Sequence, residues 1–259
     1  MRPNPLRETL EAGGTALGAW LTIPSPVTAE VVGTTGFDYV CIDMQHGLID
    51  YSDSLPMLMA LTGGGATPTV RVPENLPSHI GKALDAGAMA IVVPMVNSVE
   101  DCKAAVAACR YAPEGSRSFG PLRAVPTQGA DYFDHANTDV LCIPMIETVT
   151  ALGDLDAILA VPGVEAIYVG PSDLSVSMGF GPNYGAPEFH QALDQIVASC
   201  ARHNVVPGIH ATLATAQDRL DRGFRMVTIT SEIIAMRSGV ADDLATIRGS
   251  ISPTEDSIY

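Results

Sequence analysis

The stretch VLCIPMIETVTALGDLDAILAVPGVEAIYVGPSD, residues 140–173, decides the fold. An apolar run, Val140–Ile146, closes on Glu147. An amphipathic stretch, Val149–Ala160, follows, and a second apolar run, Ala166–Val169, closes on Gly170-Pro171-Ser172-Asp173. Short continuous apolar runs separated by a helical period mark strands buried on both faces, as in a parallel sheet covered by helices. Glu147 and Asp173 stand 26 residues apart, so one βα repeat lies between them.

The same unit recurs in both directions. Strands are expected at Ala16–Ile23, Tyr39–Ile42, Thr67–Arg71, Ala90–Val93, Val140–Ile146, Ala166–Val169, Val205–Ile209 and Met226–Ile229. Helices are expected at Pro26–Thr34, Ser52–Leu61, Leu76–Ala86, Ser98–Cys109, Val149–Ala160, Pro187–His203, Thr212–Arg222 and Ile233–Ile251. Eight alternating units close a barrel. No Pro/Gly/Ser linker or charge block interrupts the 259 residues, so the expectation is one (β/α)8 TIM-barrel domain over residues 1–259.

Composition agrees with one large core: 47% of residues are hydrophobic and 17% charged. A formal net charge of −15 argues against nucleic acid or an anionic membrane surface as a partner. The five cysteines are scattered, odd in number and without a C-x-x-C pair, which suggests neither a zinc site nor a disulfide framework. The polar N-terminus, residues 1–14, lacks the apolar core of a signal peptide, and a reducing, cytoplasmic setting is expected.

In such a barrel the chemistry sits at the C-terminal ends of the strands. Asp43-Met-Gln-His46-Gly follows the second strand, Arg71 ends the third, Glu147 ends the fifth and Asp173 follows the sixth. Two carboxylates at the mouths of adjacent strands either cap helices or hold a hard divalent ion such as Mg2+ or Mn2+; their place on consecutive strands favours the ion. The helix beginning at Gly170-Pro171-Ser172-Asp173 presents free backbone N–H groups that can bind a substrate carboxylate. Arg71 either stabilises an oxygen that becomes negative during reaction or forms a salt bridge with a mouth carboxylate. His46 is the residue type suited to a general base at neutral pH. Asp85, just before the fourth strand, is a candidate to orient it.

Residues 110–130, RYAPEGSRSFGPLRAVPTQGA, hold three prolines, three glycines and three of the chain's 12 arginines without useful periodicity. A long connection of this kind is expected to be a lid or binding loop. The only lysines, Lys82 and Lys103, fall inside expected helices, which leaves cleavage of an oxo acid to a metal rather than to a Schiff base.

Taken together, DMQHG at 43–47, VRVP at 70–73, ALDAGA at 83–88, VPMV at 93–96, RYAPEGSRSFG at 110–120, PMIET at 144–148 and GPSDLSVSMG at 170–179 resemble the HpcH/HpaI aldolase family. The resemblance runs from about Ala19 to Ile229. It implies a barrel of the phosphoenolpyruvate/pyruvate type and a class II aldolase dependent on Mg2+, Mn2+ or Co2+. Such an enzyme cleaves a 4-hydroxy-2-oxo acid into pyruvate, or hydroxypyruvate, and an aldehyde. Glu147 and Asp173 match the metal ligands, Arg71 the enolate-stabilising arginine, His46 the base, Asp85 its partner, and the Ser172 and Asp173 amides the carboxylate binder. The family also implies a homo-hexamer, a trimer of dimers that exchange the C-terminal helix. Gln45 stands where the family usually has Glu, and Met145 where many members have Gln. Competing readings are a citrate-lyase-β or malyl-CoA-like lyase, an oxo-acid decarboxylase or tautomerase, and a non-catalytic metabolite-binding barrel.

Overall fold

The computed structural model describes residues 3–181 and 183–250. Its eight strands are β1 (Ala16–Leu21), β2 (Tyr39–Asp43), β3 (Thr67–Arg71), β4 (Ala90–Val93), β5 (Leu141–Ile146), β6 (Ala166–Val169), β7 (Val206–His210) and β8 (Met226–Ser231). All neighbours pair in parallel and β8 returns to β1, closing a (β/α)8 barrel in sequence order. Strand positions match the sequence expectation to within one or two residues at each end.

The helices are α1 (Pro5–Glu11), α2 (Pro26–Gly33), α3 (Tyr51–Leu61), α4 (Pro77–Asp85), α5 (Val99–Cys109), α6 (Ala124–Gln128), α7 (Tyr132–Asp139), α8 (Val149–Gly153), α9 (Leu155–Leu159), α10 (Pro171–Ser177), α11 (Pro187–His203), α12 (Leu213–Asp221) and α13 (Glu232–Ser250). The expected helix at 149–160 is broken at Asp154, which ends α8 and starts α9. Ile251, the expected end of the last helix, lies outside the described residues. No described helix is long and apolar enough to cross a membrane.

Apolar side chains pack in two layers. Residues such as Val40, Ile42, Val70 and Ile167 face outward under the helices. Ala16, Trp20, Tyr39, Ala90, Val92, Met145 and Tyr168 fill the barrel interior, and Leu6 and Leu10 of α1 join them from below. A Cβ on Gly18 would lie 2.2 Å from the Tyr39 ring, so only glycine leaves room for it on β1. Tyr39 and Tyr168 both reach Thr228 Oγ1, at 2.9 and 2.5 Å, which satisfies their buried hydroxyls below the barrel mouth.

Residues 110–130 lie between the end of α5 and the start of β5, which places them at the N-terminal end of the barrel, away from the mouth. Their arginines tie that end together. Arg117 donates to Asp85 Oδ1 at 2.8 Å and to Tyr132 Oη at 2.9 Å. Arg123 donates to Ala86 O and Thr62 Oγ1, both at 2.5 Å. The connection is therefore an anchored, partly helical segment and not a lid over this chain's own mouth.

Candidate active site

A cavity of about 260 Å3 opens at the C-terminal end of the barrel. Asp43, His46, Arg71, Gly170, Pro171, Ser172 and Asp173 line it, together with Trp20, Thr22, Met145, Tyr168, His210 and Ser231. It contains no lysine, and Lys82 lies outside it with its ammonium 5.1 Å from the Tyr51 ring centre.

The positive side of the cavity is built by strand register. Asp43 and Arg71 end β2 and β3 and pair directly across the two strands. Arg71 Nε donates to Asp43 Oδ1 at 2.8 Å and Nη2 to Oδ2 at 2.6 Å, a bidentate pair in which both side chains are buried. The guanidinium also lies 4.4 Å from the centre of the Trp20 ring. These contacts leave Nη1 without a protein partner among the described residues, on a residue that borders the cavity. Asp43 Oδ1 further accepts the backbone N–H of Gln45 at 3.0 Å and of His46 at 3.2 Å, which fixes the turn that presents the exposed His46 side chain. The salt bridge expected as one reading of Arg71 is present, and the residue borders the cavity at the same time. Sequence reading places Asp43 directly after the second apolar strand but gives it no role; its pairing with Arg71 depends on strand register, which spacing along the chain does not show.

The acidic side is built by β5, β6 and the turn after β4. Glu147 follows β5 and is almost wholly buried. Its Oε1 accepts the Met95 N–H at 2.6 Å; Met95 adopts a left-handed conformation, φ 55°, that aims this amide inward. Oε2 is buried without a hydrogen-bond partner. Gly170 covers it: a Cβ there would stand 2.4 Å from Oε2. Burial pushes the Glu147 carboxyl above the usual range, the Met95 amide opposes this, and the nearby Asp173 charge raises it further. Asp173, in the first turn of α10, is exposed at the cavity. Gly170 is the N-cap of α10 and supplies no side-chain cap, so the first-turn amides at Ser172 and Asp173 remain free of a capping side chain.

A buried, unpartnered carboxylate oxygen beside a second carboxylate is a costly arrangement for a protein alone. It is the arrangement expected where a hard cation supplies the missing charge. The donor set, two carboxylates with open space beside them, fits a divalent ion completed by water or substrate oxygens. Among the described residues no group of three or more His, Cys, Asp or Glu side chains forms a metal cage, so the protein alone offers only a partial shell.

Asp85 is not brought to His46. It ends α4 at the opposite end of the barrel, half-buried against Arg117, and burial raises its carboxyl pKa despite that partner. The sequence placed Asp85 correctly before β4, but a residue before a strand lies a strand's length, roughly 15 Å, from one after it.

His210 was also missed. It is the last residue of β7, one position beyond the expected strand end, and it packs edge-on against Trp20 with ring centres 5.0 Å apart. Burial, followed by the Arg71 charge, lowers its pKa to about 4, so it is neutral in the physiological range.

Fold and site define a (β/α)8 barrel enzyme with an arginine facing two carboxylates across a small polar mouth. Residues 16–238 match the family model described as HpcH/HpaI aldolase/citrate lyase. A protein of Salmonella arizonae named 5-keto-4-deoxy-D-glucarate aldolase is 36% identical over 240 residues, covering 92% of this chain and 94% of its own. A solved HpcH/HpaI aldolase/citrate lyase family protein from Burkholderia cenocepacia superposes with a TM-score of 0.89 at 28% identity, covering 94% of this chain and 98% of its own. An HpcH/HpaI aldolase from Desulfitobacterium hafniense gives 0.88 at 25% identity, with 98% and 99% covered. The chain belongs to the HpcH/HpaI aldolase/citrate lyase family and is a carbon–carbon lyase.

Proposed function

We propose that this chain is a divalent-metal-dependent class II aldolase that cleaves a 4-hydroxy-2-oxo acid into pyruvate, or hydroxypyruvate, and an aldehyde. The observation that carries the reading is the unpartnered Glu147 Oε2, buried beside Asp173 at a mouth that Arg71 borders from the other side. Glu147 and Asp173 would hold Mg2+, Mn2+ or Co2+, which supplies positive charge to the enolate oxygen released by cleavage.

The chain's own groups have the following parts. The free Ser172 and Asp173 amides, following Gly170 and Pro171, receive the substrate carboxylate. Arg71, held by Asp43 and Trp20, meets the C2 oxygen without having to reorganise. His46 takes the C4 hydroxyl proton as the C3–C4 bond breaks; the bonding electrons pass to the enolate and C4 becomes the aldehyde carbonyl. The enolate carbon then takes a proton to give the oxo acid. Cleavage in this form needs no lysine, in keeping with the lining of the cavity.

An Asp85–His46 pair cannot form within one subunit, so a role for Asp85 beside His46 requires a second copy. We propose a homo-hexamer, a trimer of dimers. The support is α13, whose side chains from Ile233 to residue 249 are all exposed, Met236, Val240 and Leu244 included, although the helix has 19 residues. A helix displaying so many apolar side chains among its charged ones suits exchange with a neighbouring barrel. The five free, buried thiols suit a reducing cytoplasm.

The test is turnover of 5-keto-4-deoxy-D-glucarate with Mg2+, Mn2+ or Co2+, measuring the oxo acid and the aldehyde together. Equimolar release is expected. Oxo acid formed without aldehyde identifies a decarboxylase or tautomerase instead, and Glu147→Ala at wild-type rate under saturating metal overturns the scheme.

A further inference from the structure

Around the barrel the mouth falls into three sectors. β2 and β3 carry Asp43 and Arg71, β5 and β6 lead to Glu147 and Asp173, and β7, β8 and β1 carry His210, Ser231 and Thr22. The first two sectors account for the oxo-acid end of the substrate. The third has no part in that chemistry, yet it is polar at all three strand ends.

All three groups are held in place, and two of them, the His210 ring and the Ser231 hydroxyl, are unspent. The His210 ring is held edge-on to Trp20, which in turn stacks on Tyr168 at 5.6 Å, and the His210 ring nitrogens make no hydrogen bond to a described residue. Ser231 is buried, and its hydroxyl has no hydrogen-bond partner among the described residues, although the residue lines the cavity. Thr22 is clamped from behind: its backbone N–H and its hydroxyl both reach Glu232 Oε1, the latter at 3.2 Å, and Ile23 N–H reaches the same oxygen at 2.6 Å. Glu232 Oε2 is buried without a partner behind this wall. A methyl group in this sector would leave the His210 ring nitrogens and the Ser231 hydroxyl desolvated and unpaired. A hydroxyl can pair with them, and the Thr22 hydroxyl, whose own proton goes to Glu232, can still accept from it.

The geometry points to His210, Ser231 and Thr22 as a hydroxyl-reading subsite, selecting substrates with a free hydroxyl on a carbon whose C–O bond takes no part in the cleavage. The inference rests on the oxo-acid reading above. Neutral imidazole, which the low pKa of His210 ensures, offers one donor and one acceptor, the pair a hydroxyl can use in both senses. The hydroxyl can belong to the donor half, as in hydroxypyruvate, or to the acceptor half, as in a 2-hydroxyaldehyde.

Binding separate from turnover tests this. Wild-type protein and His210→Leu are titrated with Mg2+ present and followed by ligand-observed NMR, using pyruvate against hydroxypyruvate and acetaldehyde against glycolaldehyde. Wild type is expected to prefer the hydroxylated member of at least one pair by about tenfold, and His210→Leu to reduce that preference to about twofold. His210→Asn, which keeps a neutral donor and acceptor, should retain most of it. If His210→Leu does not fold, Ser231→Ala carries the same expectation. Equal binding within both wild-type pairs, or an undiminished preference in the variant, overturns the subsite. Hydroxyl preference without any carbon–carbon cleavage would sink the aldolase reading and leave the subsite standing; cleavage without preference does the reverse.

Discussion

Arg71 and Asp43 form two parallel hydrogen bonds, 2.8 and 2.6 Å, between the last residues of adjacent strands, with both side chains buried. Removing the acid leaves a buried guanidinium without its counter-charge. Asp43→Ala should therefore cost on the order of 3 kcal/mol in chemical denaturation, against roughly 1 kcal/mol or less for a surface pair. Arg71→Lys keeps the charge but loses the fork, and kcat should fall by at least about tenfold with the fold intact by circular dichroism. Wild-type kcat in the Arg71→Lys variant would show that bidentate positioning is irrelevant.

The Asp173 charge disfavours an ionised Glu147 in the free protein, and a divalent ion held by both would remove that cost. Mn2+ at about 100 times its dissociation constant should stabilise wild type by about 2.7 kcal/mol. Glu147→Gln and Asp173→Asn should each lose most of that increment. Thermal melts with and without a chelator check this; an equal Mn2+ response in the Glu147→Gln variant rules out Glu147 as a ligand.

Gly170 protects the Glu147 carboxylate by having no side chain. In Gly170→Ala the new Cβ, 2.4 Å from Oε2 and 3.0 Å from Met145 Cε, must push Glu147 aside. Metal affinity should drop by at least about tenfold, in the manner of mutations that disturb the surroundings of a metal ligand. Calorimetric titration of Mn2+ into the variant gives the answer.

His210 links the cavity to pH. Its pKa is near 4 in the folded protein and 6.5 in the unfolded chain, so the folded pKa is depressed. The contribution to stability is then fully present above pH 6.5, declines as acid protonates the unfolded chain preferentially, and is gone below about 4. Urea midpoints measured from pH 7.5 down to 4 should fall less steeply for His210→Leu than for wild type. Parallel pH profiles would place the titration elsewhere.

The exposed apolar residues of α13 predict assembly. Val240→Glu with Leu244→Glu should shift the mass measured by light scattering towards a smaller species than wild type forms. An unchanged mass would remove α13 from the interface.

Periodicity and punctuation are local properties, so the sequence alone determined the eight strands, the closed barrel and the convergence of Glu147 and Asp173, one βα repeat apart. It also placed His46 and Arg71 at the barrel mouth, because a polar residue closing an apolar strand is visible without coordinates. The tertiary structure alone decided what depends on register, burial and the choice of barrel end. Register paired Asp43 with Arg71. A left-handed turn at Met95 aimed an amide at Glu147, and burial kept His210 neutral. The direction of travel through the barrel sent Asp85 and the 110–130 arginines to the far end, where they meet each other. Sequence spacing measures distance along the chain, whereas those outcomes are set by which atoms share a low-dielectric space after the barrel has closed.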